Sequence, residues 1–306
     1  MSKPKRYHAF NQELRDVFGK KVIKVSLDAG FTCPNRDGTL GEEGCVYCSP
    51  RGSGDFAGGR ELSVHDQFAE VREKMRKKWP AADYIAYFQA YTNTYAPVGE
   101  LRKVYEEALA EENVVGLAVS TRPDCLPRDV LDYLEELQAR TYLWVELGLQ
   151  SIHEKTLIWL KRGHDYGQFL RGFEQLHSRG IRVCAHIILG LPGESREDML
   201  ETARALAGLP LAGVKIHLLH ILKGTPLAAI YQDNPFPLLT KEEYVALIAD
   251  ILEILPPQTV IHRLTGDGPP DDLLAPLWSR KKWEVLNAID AELERRDSWQ
   301  GKNFTD

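Results

Sequence analysis

Three cysteines, Cys33, Cys45 and Cys48, stand in the spacing C-x11-C-x2-C within the glycine-rich run CPNRDGTLGEEGCVYCSPRGSGDFAGG. Thiolates serve both zinc and iron–sulfur clusters. Three of them can hold three irons of a cubane cluster, whose fourth iron normally takes another protein ligand. Where none is supplied, one iron stays open to a small molecule, as catalytic metal sites keep one position open. Structural zinc is the rival. Cys45-Val46-Tyr47-Cys48 has zinc-knuckle spacing, Cys33 offers a third thiolate, and His65 would complete a Cys3His set. No second C-x2-C follows, and a 306-residue chain with 43% hydrophobic residues needs no metal to fold, so the cluster is favoured.

Two further cysteines have blander readings. Cys184, in IRVCAHIIL, reads as a buried small hydrophobe, and Cys125, in STRPDCLP, follows a strand and can face the mouth of a site. The opening MSKPKRYHAF is polar and basic, and no apolar stretch approaches a membrane span. A reducing cytoplasm is therefore the expected setting, with no disulfides and no membrane. The formal net charge of −6 argues mildly against strong nucleic-acid binding, although local patches can suffice.

The loop must be held by a scaffold, and the rest of the chain reads as alternating strands and helices. Strands are expected at 21–27, 84–89, 114–120, 142–149, 182–189 and 214–219. Amphipathic helices are expected at 64–78, 98–111, 128–139, 153–161, 166–178 and 195–207. Strands such as Val183–Leu189 are apolar at nearly every position, which suits a parallel sheet buried on both faces. Six β/α units in a row imply an α/β fold, either a parallel part-barrel or a doubly wound sheet. Residues 1–222 form the expected core, with the cysteine loop at 29–60, and 223–306 an extension packing on the barrel. In that extension, 223–239 holds Pro226, Pro235 and Pro237 and reads as a connecting loop. It is followed by a helix at 241–255, a short strand at 259–262 and a Trp-bearing helix at 279–295.

Function in parallel α/β folds gathers where strands end, and polar residues gather there in this chain. Gln89, Tyr91, Thr92 and Asn93 can hydrogen-bond an amino group, and Arg122 or Arg162 can grip a carboxylate with two prongs. Glu146 and Gln150 suit ribose hydroxyls and share a face if the strand runs unbroken between them. Gly190 and Gly193 would admit a flat adenine, or else simply form a strand-to-helix turn capped by Glu194 or Ser195. His217 and His220, three apart, should face opposite sides of a strand and not share a metal, and His164 should order a loop.

Taken together, the cysteine loop, Gln89–Thr94, STRPD at 120–124, VELGLQS at 145–151, LKRGHD at 160–165 and ILGLPGE at 188–194 resemble the radical SAM superfamily. The likeness is greatest to the YtqA/YhcC-like family and extends more distantly to the radical SAM part of the Elongator catalytic subunit. It covers almost the whole chain, including RLTGD and LAPLWSRKKWEVLN at 263–287. The resemblance implies a radical SAM (β/α)6 part-barrel, an incomplete TIM barrel with a short C-terminal extension. It also implies a [4Fe-4S] cluster on Cys33, Cys45 and Cys48, with S-adenosylmethionine (SAM) at the open iron and one-electron cleavage to a 5'-deoxyadenosyl radical. SAM contacts would then come from Tyr47, Gln89, Tyr91, Thr92, Asn93, Ser120, Arg122, Glu146, Gln150, Arg162, Ile188, Gly190 and Gly193, with Tyr47 packing near the adenine. The superfamily's commonest spacing is C-x3-C-x2-C; the eleven-residue first gap points to the Elongator-like branch and suggests a flap over the cofactor.

The same resemblance implies a transfer-RNA substrate, with the 5-substituent of a wobble uridine converted from carboxymethylaminomethyl to aminomethyl. A reductant such as flavodoxin or ferredoxin would supply the electron. Basic patches at 3–6, 72–78 and 280–282, near Trp79, Trp278 and Trp283, could meet a phosphate backbone and a stacked base, or could be solvated helix faces. A small-molecule or peptide substrate, and a zinc-stabilised binding protein, are the alternatives. No residue is assigned as a substrate acid or base.

Overall fold

The computed structural model describes residues 4–305. Along the chain run α1 (Phe10–Phe18), β1 (Val22–Leu27), α2 (Val64–Arg76), β2 (Asp83–Phe88), α3 (Val98–Leu109), β3 (Val114–Thr121) and α4 (Arg128–Arg140). Next come β4 (Tyr142–Gln150), α5 (Glu154–Trp159), α6 (Tyr166–His177), β5 (Arg182–Leu189), α7 (Arg196–Ala207) and β6 (Gly213–Leu218). The chain finishes with β7 (Ile221–Leu222), α8 (Pro226–Asp233), α9 (Lys241–Ile254), β8 (Val260–Arg263), β9 (Leu273–Ala275) and α10 (Lys282–Arg295).

One sheet takes the order β1-β2-β3-β4-β5-β6-β8, parallel throughout. The six expected strands are present, and a seventh, β8, joins them from the C-terminal part of the chain. The expected loop at 223–239 instead contains α8, because Thr225 caps it and Pro226 takes the first turn, where a missing N–H costs nothing. Helix α1 was not foreseen from the sequence; just before it, Ala9 bridges Ile261 of β8.

The sheet curls into a half-barrel. In a flat sheet β1 would lie about 14 Å from β4, three strand spacings away. Yet Lys24 on β1 and Lys215 on β6 both reach the carboxylate of Glu146 on β4. Its outer face packs against the helices through Val25, Leu27, Phe88, Leu117, Val145 and Ile187. The inner face is layered. Val22, Ile85, Ala118, Trp144, Cys184 and Val260 form an apolar floor with Phe10 and Leu14 of α1. Phe10 stacks on His262 at 4.1 Å and meets Trp144 edge-on, so α1 plugs the bottom between the sheet's free edges. Above the floor the inward side chains turn polar, and those residues lead up to the strand ends.

Candidate active site

The cysteine loop leaves β1 and is laid over the upper end of the half-barrel. Its long first gap is a closed excursion: Gly44 N–H donates to Asn35 O (2.7 Å) and Leu40 N–H to Pro34 O (2.7 Å). The neck at Asn35 and Gly44 returns the chain beside its starting point, so eleven residues separate Cys33 from Cys45 in sequence without parting them in space. Arg36 donates to the carbonyls of Cys48 (3.1 Å) and Ser49 (2.8 Å). Val46 N–H bonds Leu160 O, and Leu227 N–H bonds Val46 O, which straps the C-x2-C turn between the end of α5 and the start of α8.

Arginines surround the sulfurs. Arg162 Nη1 donates to Cys45 Sγ (3.2 Å) and to Tyr47 OH (3.3 Å), while its Nη2 reaches Gly148 O (3.3 Å) and His164 Nε2 (2.8 Å). Asn35 Nδ2 adds a further contact to Cys45 Sγ at 3.3 Å. Burial alone would raise the Cys45 thiol, but the charges of Arg162 and Arg122 and these hydrogen bonds hold it below its usual value. Burial and the Cys45 charge push Cys48 up. Three thiols flanked by Arg36, Arg122 and Arg162 suit an anionic iron–sulfur cluster, whose sulfurs need such donors.

The zinc alternative loses its fourth ligand. His65 is exposed on α2, 2.5 Å from Glu111, and does not line the cavity. Among the described residues, the three donor groups gathered within 4.8 Å of one another are His153, Asp198 and Glu201, not the cysteines. Tetrahedral zinc would hold its thiolates about 3.8 Å apart, given bonds of about 2.3 Å. Cys184 lies in the barrel floor. Cys125 lines a separate outer cavity of about 770 Å³ beside α6, where burial pushes its thiol up to about 12.

Below the loop lies a cavity of about 350 Å³ walled by Cys33, Cys45 and Cys48 and by strand-end side chains. Of the residues singled out from the sequence, Tyr47, Gln89, Tyr91, Thr92, Ser120, Arg122, Glu146, Gln150, Arg162 and Ile188 line it. Asn93 does not. It is buried, its side-chain amide donating to Phe88 O (3.1 Å) at the end of β2 and to Ser120 O (3.0 Å) on β3. Gly190 and Gly193 also lie off the cavity wall. Both adopt left-handed backbone in the turn into α7, and Ser195 caps that helix in a box with Asp198. The turn reading of ILGLPGE therefore accounts for both glycines.

Two orphaned polar atoms show room for a ligand. Arg122 clamps Asp124 with Nε (2.9 Å) and Nη2 (2.7 Å), leaving Nη1 buried without a partner. Gln150 Oε1 is likewise buried and unpaired. The strand pairing slips between Gly148 and Gln150, and Gln150 takes φ of 71°, so this residue leaves the pleat that Glu146 follows. A carboxylate at Arg122 and a hydroxyl at Gln150 would satisfy both atoms. These residues fit an amino acid–nucleoside cofactor.

Glu146 lies deeper, and its carboxylate is saturated. It accepts from Lys24, Lys215 (2.7 Å), Tyr87 OH (2.7 Å) and His186 Nε2 (2.7 Å). Burial would raise its pKa, but Lys215 and Lys24 override this and hold it well below the usual carboxylate value. Burial lowers Lys215 to about 8, against the pull of Glu146. Sequence reasoning missed Tyr87, Lys215, His186, Arg263 and Asn35. The available signal was Lys215 in GVKIHL and Tyr87 in DYIAYF, polar groups on largely apolar strands. His217 and His220 both line the cavity, contrary to the alternation argument, because β6 ends at Leu218 and the chain turns before His220.

The basic patches at 3–6 and 280–282 are largely neutralised, whereas in 72–78, among the described residues, only Arg72 and Lys77 meet acids. Lys3 lies outside the described residues, while Lys5 pairs with Asp290, Arg6 with Asp297, Lys281 with Glu284 and Lys282 with Asp267. Trp278 is tied to Leu239 O (3.1 Å), whereas Trp79 and Trp283 are exposed. Among the described residues no helix is long and apolar enough to cross a membrane.

Comparison with known proteins agrees with this geometry. Residues 33–206 match the model of the radical SAM superfamily, and residues 211–295 match a radical SAM C-terminal domain. YtqA of Bacillus subtilis is 55% identical over 300 residues, covering 98% of this chain and 93% of that protein. YhcC of Escherichia coli K12 is 38% identical, covering 96% and 94%. Human Elongator complex protein 3 is 28% identical over 159 residues, 51% of this chain and 28% of that one. Among solved structures, the archaeal Elp3 of Methanocaldococcus infernus superposes with a TM-score of 0.67 at 19% identity, over 92% of this chain and 64% of that one. Methylornithine synthase (PylB) superposes with a TM-score of 0.55 at 13% identity, over 94% and 85%. With its three cysteines on the cavity wall of a parallel half-barrel, the chain belongs to the radical SAM superfamily, in the branch of YtqA and YhcC, and is an enzyme of the [4Fe-4S] cluster and SAM.

Proposed function

We propose that this radical SAM enzyme modifies the 5-substituent of a wobble uridine in transfer RNA, converting carboxymethylaminomethyl to aminomethyl. The bond from nitrogen to the carboxymethyl carbon breaks, SAM is the net two-electron oxidant, and with water the two-carbon fragment leaves as glyoxylate. The observation that carries this reading is the likeness to the Elongator catalytic subunit, 28% identical over 159 residues in the human protein. Exposed Trp79, at the basic end of α2, and exposed Trp283, on α10, offer flat surfaces for unstacked bases.

The cluster and SAM, when bound, supply one-electron cleavage to methionine and a 5'-deoxyadenosyl radical that takes hydrogen from the substrate. The chain's own residues do the holding. Cys33, Cys45 and Cys48 would ligate the cluster, with Asn35 and Arg162 orienting Cys45 and the charge of Arg162 balancing it. Arg122 would take the methionine carboxylate and Gln150 a ribose hydroxyl, while Tyr47 and Ile188, which line the cavity, would wall the adenine. The half-barrel floor, plugged by Phe10, closes the lower end to water. A small protein reductant such as flavodoxin or ferredoxin would deliver the electron.

The test is anaerobic reconstitution, dithionite and SAM, with transfer RNA from a strain deleted for the corresponding gene. Formation of 5'-deoxyadenosine together with aminomethyluridine would support the reading. SAM cleavage with an unchanged profile of wobble uridines would overturn the substrate and leave a small molecule or peptide.

A further inference from the structure

The deep half of the cavity holds more positive than negative charge. Lys24 and Lys215 share a single carboxylate, Glu146, whose oxygens already take bonds from both lysines, Tyr87 and His186. Arg263, the last residue of β8, lines the same cavity. Among the described residues it forms no hydrogen bond and no ion pair, although its charge is felt by Tyr87, Lys215, His217 and His220. Of the two other acids on the cavity wall, Asp267 is engaged by Lys282, and Asp55, on the cysteine loop, accepts from Ser49 Oγ (2.7 Å). The neighbouring histidines add no counter-charge. Burial, helped by Arg263, keeps His217 well below its usual value and His220 at about 4, so both are neutral at pH 7.

An unpaired guanidinium on the wall of a partly closed cavity is costly unless something neutralises it. SAM is expected to place its carboxylate at Arg122, which comes from β3, on the other side of the barrel from β8. Arg263, Lys215 and His217 all belong to residues 211–295, outside the stretch that matches the superfamily's SAM-binding core. A planar fork of donors is matched to a carboxylate.

We propose that Arg263, backed by Lys215, is the specificity-determining residue that grips an anionic group of the substrate, a carboxylate. This rests on the reading above, in which that group is the carboxymethyl carboxylate of the modified uridine. The grip would draw the substituent down into the half-barrel and orient it towards SAM. It would also explain release, since an aminomethyl product has lost the anion and presents a cation to the same guanidinium.

The experiment uses reconstituted, SAM-loaded wild type, Arg263→Gln and Arg263→Lys, with iron content and thermal melting as checks on folding. Binding of the nucleosides 5-carboxymethylaminomethyluridine and 5-aminomethyluridine is measured by calorimetry, and turnover is measured on transfer RNA. The wild type should prefer the acid by at least about 10-fold, the size of a charge-assisted contact. Arg263→Gln should erase that preference, and Arg263→Lys should keep part of it. A wild type without preference, or an Arg263→Gln variant that retains it, overturns the proposal. Selective binding without turnover of any transfer RNA would sink the wobble-uridine reading and leave the anion site standing. Turnover by Arg263→Gln with an unchanged KM would sink the anion site and leave that reading standing.

Discussion

Arg162 places Nη1 3.2 Å from Cys45 Sγ, joining the LKRGHD motif to the cysteine loop across 117 residues of sequence. The same guanidinium braces Gly148 O on β4 and His164, so one side chain locks the loop to the barrel wall. Residues that hydrogen-bond a metal ligand commonly change metal affinity by about 10- to 100-fold when removed. Arg162→Gln should therefore release iron to a chelator at least about 10-fold faster than wild type. An unchanged rate of iron loss, followed anaerobically by absorbance, would show that the contact is incidental.

Only three of the five cysteines line the cavity. Cys33→Ala, Cys45→Ala and Cys48→Ala should each abolish both the cluster absorbance and 5'-deoxyadenosine formation. Cys125→Ser should keep a full iron complement, because its thiol lines the outer cavity beside α6. Loss of iron from that variant would make Cys125 a ligand.

Glu146 is the single anion holding two lysines, Lys215 buried and Lys24 half-buried. Glu146→Gln leaves Lys24 and Lys215 without their counter-charge, and breaking a buried pair in this way costs about 3–5 kcal/mol. Adding Lys215→Met to that variant should recover part of the loss, measured as the midpoint of urea unfolding. A double variant no more stable than Glu146→Gln would mean that Lys215 needs no partner.

Acid should weaken the fold before it touches the surface ion pairs. Burial holds His186 and His220 at about 4 and His262 at about 3, below the unfolded value near 6.5. Below about pH 6.5 the unfolded chain binds protons that these histidines refuse, so stability falls with pH at about 1 kcal/mol per unit for each. Glu146 adds to this at lower pH: its depressed pKa contributes stability above about 4.3 that is lost as pH falls further. Urea midpoints should thus drop steeply from pH 6.5 to 4, and a flat profile would show that the barrel interior is not closed.

Local signals in the chain were enough for the six central strands, most helices and the three cysteines, because periodicity and spacing are set by neighbours along the backbone. Helix α8 escaped because three prolines read as a loop, although one of them occupies a position where proline starts a helix. Asn93, Gly190 and Gly193 sit in motifs that border the site, and motif membership alone does not say which side chains turn into the cavity. Their hydrogen bonds and backbone angles do.

The sequence by itself determined the family and the parallel α/β pattern, and it singled out the three cysteines that the structure sets on one cavity wall, since each is carried by residue type at short range. The tertiary structure alone decided that Lys24, Tyr87, Glu146, His186 and Lys215 meet. They come from five strands spread over nearly 200 residues, and only curling of the sheet brings them within hydrogen-bonding distance. It also decided that Arg263 is left over. A surplus charge is a property of everything around it, and no stretch of sequence contains that sum.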